Sequence, residues 1–325
     1  MKVRDFLERY YLHYNSREVV RAARAYQAHV EGGGSMFVTL AGAMSTAQLG
    51  RVLAPAIEAG WVHGICCTGA NLEEDAFRLL AGDTYEPIDD WRALRAEDEQ
   101  ALYDRGMNRV TDTCIPETVM RHMEAQLLAR WREATESGSS AMPSEHLLAV
   151  LAEPDVQAHF QEPENSWLLA AGRKGIPVFT PGWEDSTTGN MFAAAVFREE
   201  LAHHRAVVTG TEQMVRLMRW YQARTEGCVP ENPGIGFFQV GGGIAGDFAI
   251  CAVPAMIQDL GLEETPFWGY FCQISDAVTS YGGYSGAVPN EKITWGKLAP
   301  STPKFMIESD ATIVAPLIFA YLLGY

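Results

Sequence analysis

The stretch MFVTLAGAMSTAQLGRVLAPAIEAGWVHGICCTGANLEEDAFRLL, residues 36–80, decides the fold. MFVTLAG (36–42) is a short apolar run after the break Gly32-Gly33-Gly34 and reads as a strand. TAQLGRVLAPAIEAG (46–60) has helical spacing, with Ser45 as its expected cap and Gly60 as its stop. WVHGICCTG (61–69) is a second strand that ends in a turn of small residues. Asn71 is the expected cap of LEEDAFRLL, with Glu73, Glu74 and Asp75 in the first turn, where the helix dipole favours acids. Strand, helix, strand and helix within about 45 residues form the βαβ pattern of a parallel sheet.

The alternation extends in both directions. REVVRAARAYQAHVE (17–31) is a helix, and residues 84–112 read as an irregular surface excursion. Residues 115–138 form a strong helix with Pro116 in its first turn and Gly138 at its end. GSSAMPS (138–144) is a loop, and SEHLLAVLAEPDVQ (144–157) reads as one further helix. GIPVFTPG (175–182) is a strand, followed by the polar loop WEDSTTGN and a long helical region over 191–226. GIGFFQV (234–240), FWGYFCQIS (267–275) and KFMIESD (304–310) are strands, and TIVAPLIFAYLLG (312–324) is a closing helix. No repeat or linker divides the chain, which points to one domain.

Bulk properties narrow the function. The 325 residues are 47% apolar, ample for a large core. A net charge of −16 repels the nucleic-acid backbone and argues against nucleic-acid binding, while it attracts amines and basic protein patches. The N-terminus is charged without an apolar core segment, and no run reaches eighteen apolar residues, so neither a secretory signal nor a membrane span is expected. Six cysteines are scattered without C-x-x-C spacing. Five lie in or beside apolar runs and read as reduced, buried thiols of a cytoplasmic protein, and Cys228 sits in a loop-like stretch.

Four constellations could carry chemistry. Gly241-Gly242-Gly243-Ile244-Ala245-Gly246 fits G-x-G-x-x-G after a strand, which suits either a dinucleotide site or a tight strand-to-helix turn. Residues 67–75 place three acids after a small-residue turn, a pattern that ordinary helix charge also explains. Glu199-Glu200 with His203-His204 has i, i+4 spacing but lacks a third ligand, so a solvated helix face is the preferred reading and no metal is expected. The fourth is NEKITWGKLAP (290–300). Three of the five lysines fall between Lys292 and Lys304, in a chain that otherwise uses arginine, twenty times. A lysine can become a free amine when buried beside an aromatic or another cation, and arginine cannot.

Together these residues resemble the deoxyhypusine synthase family over about residues 36 to 323. Glu291-Lys292-Ile293-Thr294-Trp295-Gly296-Lys297 is similar to that family's catalytic segment; Thr68 to Asp75 to its small turn with Glu-Glu-Asp; Gly241-Gly242-Gly243 to its glycine loop; and Ser309-Asp310-Ala311 to its late Asp-Ala contact. The resemblance implies a single α/β domain over 1–325 with a central parallel, Rossmann-like sheet flanked by helices, in which 1–34 is an N-terminal helical extension and 35–325 the catalytic body. It also implies a homotetramer. The implied chemistry is NAD-dependent transfer of the aminobutyl group of spermidine, through an imine on Lys297, to an acceptor amine. The acceptor is a lysine of an initiation factor 5A-like protein in the named family and putrescine in homospermidine-forming relatives. A catalytically silent homologue that binds a polyamine or NAD is the other reading.

Carried over by position, Lys297 is the nucleophile, and Glu73, Glu74, Asp185, Gly243, Glu291 and Trp295 line the amine side. Gly42, Ser45, Thr46, Thr68, Gly69, Ala70, Asp276, Ala277, Asp310 and Ala311 contact NAD. Lys292 is assigned to solvent or to tuning of its neighbour. Three positions depart from the family: Phe248 stands where a polyamine-side histidine is expected, and Tyr284 and Asn190 stand where aspartates are expected. The expectation is retained imine chemistry with an altered donor or acceptor.

Overall fold

A computed structural model describes residues 1–226, 233–279 and 281–325, so Cys228 lies outside the described residues. Six strands form one sheet: β1 (Ser35–Leu40), β2 (Gly64–Cys67), β3 (Val178–Phe179), β4 (Ile235–Val240), β5 (Tyr270–Ser275) and β6 (Lys304–Glu308). All pairings are parallel, and the spatial order is β3-β2-β1-β4-β5-β6. This is the doubly wound order of Rossmann-type sheets, whose direction of winding reverses between β1 and β4. The α/β reading of the sequence is therefore correct, and residues 36–80 supply its first βαβ unit.

Every residue of β1, β2, β4 and β5 is buried, because helices cover both faces. One face packs Val38, Leu40, Phe238, Val240 and Ile274 against helices α1 (Tyr14–Glu31), α2 (Gly50–Glu58) and the closing Ala311–Leu323. Tyr26 of α1 is fully buried, and its hydroxyl donates to Trp61 O at 2.8 Å, which ties the N-terminal residues to the body. The other face carries Phe37, Phe237 and Phe271, which occupy one cross-strand register and stack with ring planes 17° and 10° apart. Two residues further along each strand the same row becomes Thr39, Gln239 and Gln273. The sheet face thus changes from aromatic to amide as it nears its carboxyl edge.

Several local expectations are corrected. Ser45 does not cap a helix: α2 begins at Gly50, and the Ser45 hydroxyl donates to Asn71 O at 2.7 Å instead. The cap of helix α3 (Gly69–Ala81) is Thr68, and Asn71 lies inside its first turn, where its amide donates to Leu40 O, Ala41 O and Gly42 O. Residues 84–112 are not irregular throughout: Glu86–Pro87, Met107–Val110 and Thr113–Pro116 form a small antiparallel sheet beside the helix Ala96–Asp104. Pro154, which cannot donate to a helical ladder, starts a new short helix Pro154–Gln157 after Pro143–Leu151. The 191–226 region splits into α4 (Thr187–Phe197) and α5 (Gly210–Thr225). Glu199, Glu200 and His203 therefore fall between the two helices, and His204 opens a separate 3-10 turn, His204–Ala206, so the four do not share one helix face. The described residues contain no cluster able to hold a metal, and no described helix is long and apolar enough to cross a membrane.

Candidate functional site

The lysine segment is fixed by the strand it precedes in space. Lys297 O accepts from Trp268 N at 3.3 Å, and Leu298 forms a parallel bridge with Trp268, just before β5. Gly296, at φ +66, makes the reversal that turns Lys297 inward. Lys297 is 6% exposed, and its Nζ lies 3.2 Å from Asp247 Oδ1 on helix α6 (Gly243–Ile250). The Nζ is 5.3 Å from the centre of the Tyr284 ring and 5.8 Å from that of Trp295. The Asp247 carboxylate also receives the Cys251 thiol at 3.6 Å.

Lys292 is not in solvent. It is 2% exposed, and its Nζ donates to Ala287 O at 3.1 Å and Gln273 Oε1 at 3.3 Å. It lies 4.9 Å from the ring centres of both Phe271 and Tyr284. Burial, then the Lys297 charge, pull its ammonium down to about 8.

These groups surround a cavity of about 590 Å³ lined by Asp247, Cys251, Tyr284, Glu291, Trp295 and both lysines, among others. The amide row lies beneath it, buried under Tyr284 and Lys292, which line the cavity. Gln273 donates to Ser285 O, and Gln239 Oε1 accepts from the Tyr284 hydroxyl at 2.7 Å. Burial pushes the Tyr284 phenol well up, so it remains a neutral donor. The sequence signal for this floor was present in FFQV and FCQI, where glutamine interrupts two adjacent apolar strands. Sequence reasoning missed it, and it also fixed attention on Phe248. Phe248 packs into the apolar cluster beneath the site, whereas the preceding residue, Asp247, faces the lysine.

The Glu-Glu-Asp turn has a different local role. The Glu73 carboxylate accepts from Thr187 N at 3.0 Å and from Thr188 N at 2.7 Å, at the start of α4. Asp75 accepts from Trp167 N and Leu168 N at 3.2 Å, at the start of the helix Trp167–Lys174. Two of the three acids thus satisfy the first amides of two other helices. Glu74 lies between them in sequence, buried, with Tyr85 Oη donating at 3.3 Å. Burial, then the Glu73 charge, push Glu74 up to about 7. Asp185 and Asn190 are exposed, and the Asn190 amide donates to Ser186 O. Among the described residues, no hydrogen bond joins Glu73, Glu74 or Asp185 to the lysine cavity.

The residues expected to contact NAD gather at the carboxyl edge of the sheet. Gly42 follows β1, Thr68 to Ala70 follow β2, Gly241 to Gly243 follow β4, Asp276-Ala277 follow β5, and Asp310-Ala311 follow β6. Around the β1–β4 crevice the backbones are too close for larger side chains: a Cβ on Gly241 would meet Ala41 Cβ at 2.8 Å, and one on Gly242 would meet Ser285 Oγ at 1.8 Å. Thr39 Oγ1 on β1 is buried with no hydrogen-bond partner in the protein. Asp276 and Asp310 expose carboxylates suited to ribose hydroxyls, although Asp310 also caps Ala311–Leu323 through Thr312 N at 2.7 Å. Small-residue loops and strand-end carboxylates form a donor and acceptor set that fits a dinucleotide.

A Rossmann-ordered α/β sheet with a lysine–carboxylate pocket on one face is the class that fold and site define. The chain belongs to the deoxyhypusine synthase family, whose model, "Deoxyhypusine synthase", matches residues 7–322. A deoxyhypusine synthase-like protein of Cyanothece sp. is 31% identical, over 100% of this chain and 80% of that one. A probable deoxyhypusine synthase 1 of Archaeoglobus fulgidus is 26% identical, over 95% of this chain and 90% of that one. Among solved structures, a putative deoxyhypusine synthase from Entamoeba histolytica superposes with a TM-score of 0.58 at 14% identity, covering 94% of this chain and 87% of that one. That likeness shows a shared fold.

Proposed function

We propose that the protein is an NAD-dependent aminobutyltransferase in which Lys297 forms the imine. The observation that carries this reading is Lys297 itself, buried in a cavity, 3.2 Å from Asp247 and beside Trp295 and Glu291. When bound, NAD would supply hydride exchange at the carbon beside the secondary amine of spermidine and at the final imine. Gly42, Ser45, Thr46, Thr68, Gly69, Ala70, Asp276, Ala277, Asp310 and Ala311 would hold it at the strand ends.

This chain's residues do the rest. The free Lys297 amine attacks the oxidised carbon and diaminopropane departs. Asp247 is the group placed to take up the proton that Lys297 must lose. Glu291, exposed at the mouth, offers a carboxylate to the distal ammonium. Trp295 and Tyr284 supply ring faces that favour cations and exclude water. Glu73, Glu74, Asp185 and Gly243 complete the amine side in this reading. The acceptor is a lysine of an initiation factor 5A-like protein, by family, in a cytoplasmic homotetramer. A small acceptor such as putrescine is the second reading, favoured by Tyr284 and Asp247 standing in the pocket.

The test is to incubate the protein with NAD and spermidine, reduce with borohydride, and weigh and map it. An aminobutyl adduct on Lys297 is expected. No adduct with spermidine, putrescine or other diamines would favour a silent, amine-binding homologue.

A further inference from the structure

A second cavity, of about 390 Å³, lies between α3, the start of α2 and the turn that leads into the helix Trp167–Lys174. It shares no lining residue with the lysine cavity. Of the residues assigned to the cofactor only Ser45 lines it, and the Ser45 hydroxyl is already spent on Asn71 O. The backbone around it is strained. Gln48, at φ +59, and Glu162, at φ +44, hold left-handed conformations that glycine adopts far more readily, and such positions gather where a ligand is clamped. A Cβ on Gly50 would meet Asn165 O at 2.3 Å, so the two walls approach this closely only because residue 50 is glycine.

The acids that line the cavity all have partners. Asp75 accepts from Ser166 Oγ at 2.5 Å and caps the helix beyond it. Glu162 accepts from Arg51 at 2.5 Å and from the Asn165 amide at 3.2 Å, and Asp83 at the rim accepts from the Gln161 amide at 2.6 Å. Arg78 is the exception. Among the described residues its guanidinium makes no hydrogen bond and no ion pair, and lies 5.3 Å from the centre of the Tyr85 ring. Burial, the largest effect on it, pulls its ionisation below the ordinary arginine value. Of the acids that act on it, Glu162 is spent on Arg51 and Glu74 is itself pushed towards its neutral form.

We propose that this cavity is a binding site, separate from the reacting lysine, for a small polar monocarboxylate whose anionic end Arg78 holds. A guanidinium fork matches a carboxylate with two parallel hydrogen bonds. One unmatched positive charge balances one negative charge, which suits a carboxylate better than a doubly charged phosphate. The side-chain amides of Gln48, Gln161 and Asn165 on the walls suit hydroxyl groups on the rest of the ligand. The inference does not depend on the imine reading.

The test is calorimetric titration of the full-length protein with gluconate, a polyhydroxy monocarboxylate, with sorbitol, its uncharged counterpart, and with inorganic phosphate, at one pH and ionic strength. Gluconate is expected to bind once per chain, sorbitol not at all, and phosphate more weakly. Arg78→Met should weaken gluconate binding at least about tenfold, as the loss of hydrogen bonds to a charged group predicts. Lys297→Met should leave it unchanged. Absence of gluconate binding, equal binding of sorbitol, tighter binding of phosphate, parental affinity in Arg78→Met, or loss of binding in Lys297→Met would each overturn the proposal. If Arg78→Met does not fold, Arg78→Lys decides, because it keeps the charge and loses the fork: several-fold weaker binding is expected, and parental affinity would refute the site.

Discussion

Lys297 Nζ and Asp247 Oδ1 lie 3.2 Å apart although their residues are 50 positions apart in the chain. The aspartate comes from the helix that follows the glycine loop, and the lysine from the segment before the sixth strand. The pair therefore joins the two sequence motifs, glycine loop and Trp-Gly-Lys, in one cavity. Asp247→Asn removes the group placed to take up the Lys297 proton. Borohydride trapping of Lys297 with spermidine and NAD is expected to fall several-fold. Because the Asp247 side chain is 49% exposed, denaturant unfolding should change by less than about 1 kcal/mol.

Lys297→Arg keeps a cation beside Asp247 but cannot form an imine. Borohydride trapping with spermidine and NAD is expected to fall to background while the thermal melt is retained. A trapped adduct of parental yield in this variant would move the reactive amine elsewhere.

Gln273→Leu takes one of two acceptors from a buried ammonium and the donor from Ser285 O. Urea unfolding should show a loss of about 1–3 kcal/mol, the usual cost of leaving buried polar groups unmatched. The loss should lessen above pH 8, where Lys292 sheds its charge.

Glu74 predicts a pH dependence with a definite sign. Its folded-state ionisation is raised from 4.5 to about 7, so the folded state holds the proton more tightly than the unfolded chain. Its contribution to stability is complete below the unfolded value and is lost as pH rises through about 7. Glu74→Gln never ionises and should match the parent near pH 4. At pH 8 it should exceed the parent by about 3 kcal/mol, since each tenfold change in proton affinity is worth ~1.4 kcal/mol. Parallel unfolding curves at both pH values would refute the assignment.

Glu73→Ala strips the acceptor from Thr187 N and Thr188 N. Loss of a buried helix cap should cost about 1–2 kcal/mol. Hydrogen exchange is expected to quicken first in the opening turn of Thr187–Phe197.

The fold was legible because parallel strands covered on both faces are written as unbroken apolar runs, and the runs at 36–40, 235–240 and 270–275 were plain. The Trp-Gly-Lys segment was equally plain. What sequence could not give was tertiary use of polar groups. Glu73 and Asp75 read as local helix-dipole charges, yet each is spent on another helix almost a hundred residues or more away. Ser45 read as a cap because capping is a local rule, but Asn71, 26 residues on, claimed its hydroxyl. Lys292 read as either solvated or a tuner of its neighbour, because lysine is usually exposed. Only the neighbouring strand and the wall at Ala287 reveal its burial. Asp247 was passed over as well, since a half-exposed acid on a helix announces nothing until the lysine is seen beside it.

The paired glutamines under the cavity have an evolutionary consequence. Gln239 and Gln273 stand in register on adjacent strands, so an apolar side chain at either would leave the polar groups above it unmatched. The wall at residues 281–288 hangs from Gln239 and Gln273 by the Tyr284 hydroxyl and Ser285 O, and from Gly243 N by Ser285 Oγ. Substitutions in the wall can therefore reshape the cavity above an unchanged foundation. In this chain the shape of the lysine pocket is expected to be most easily altered through that one segment.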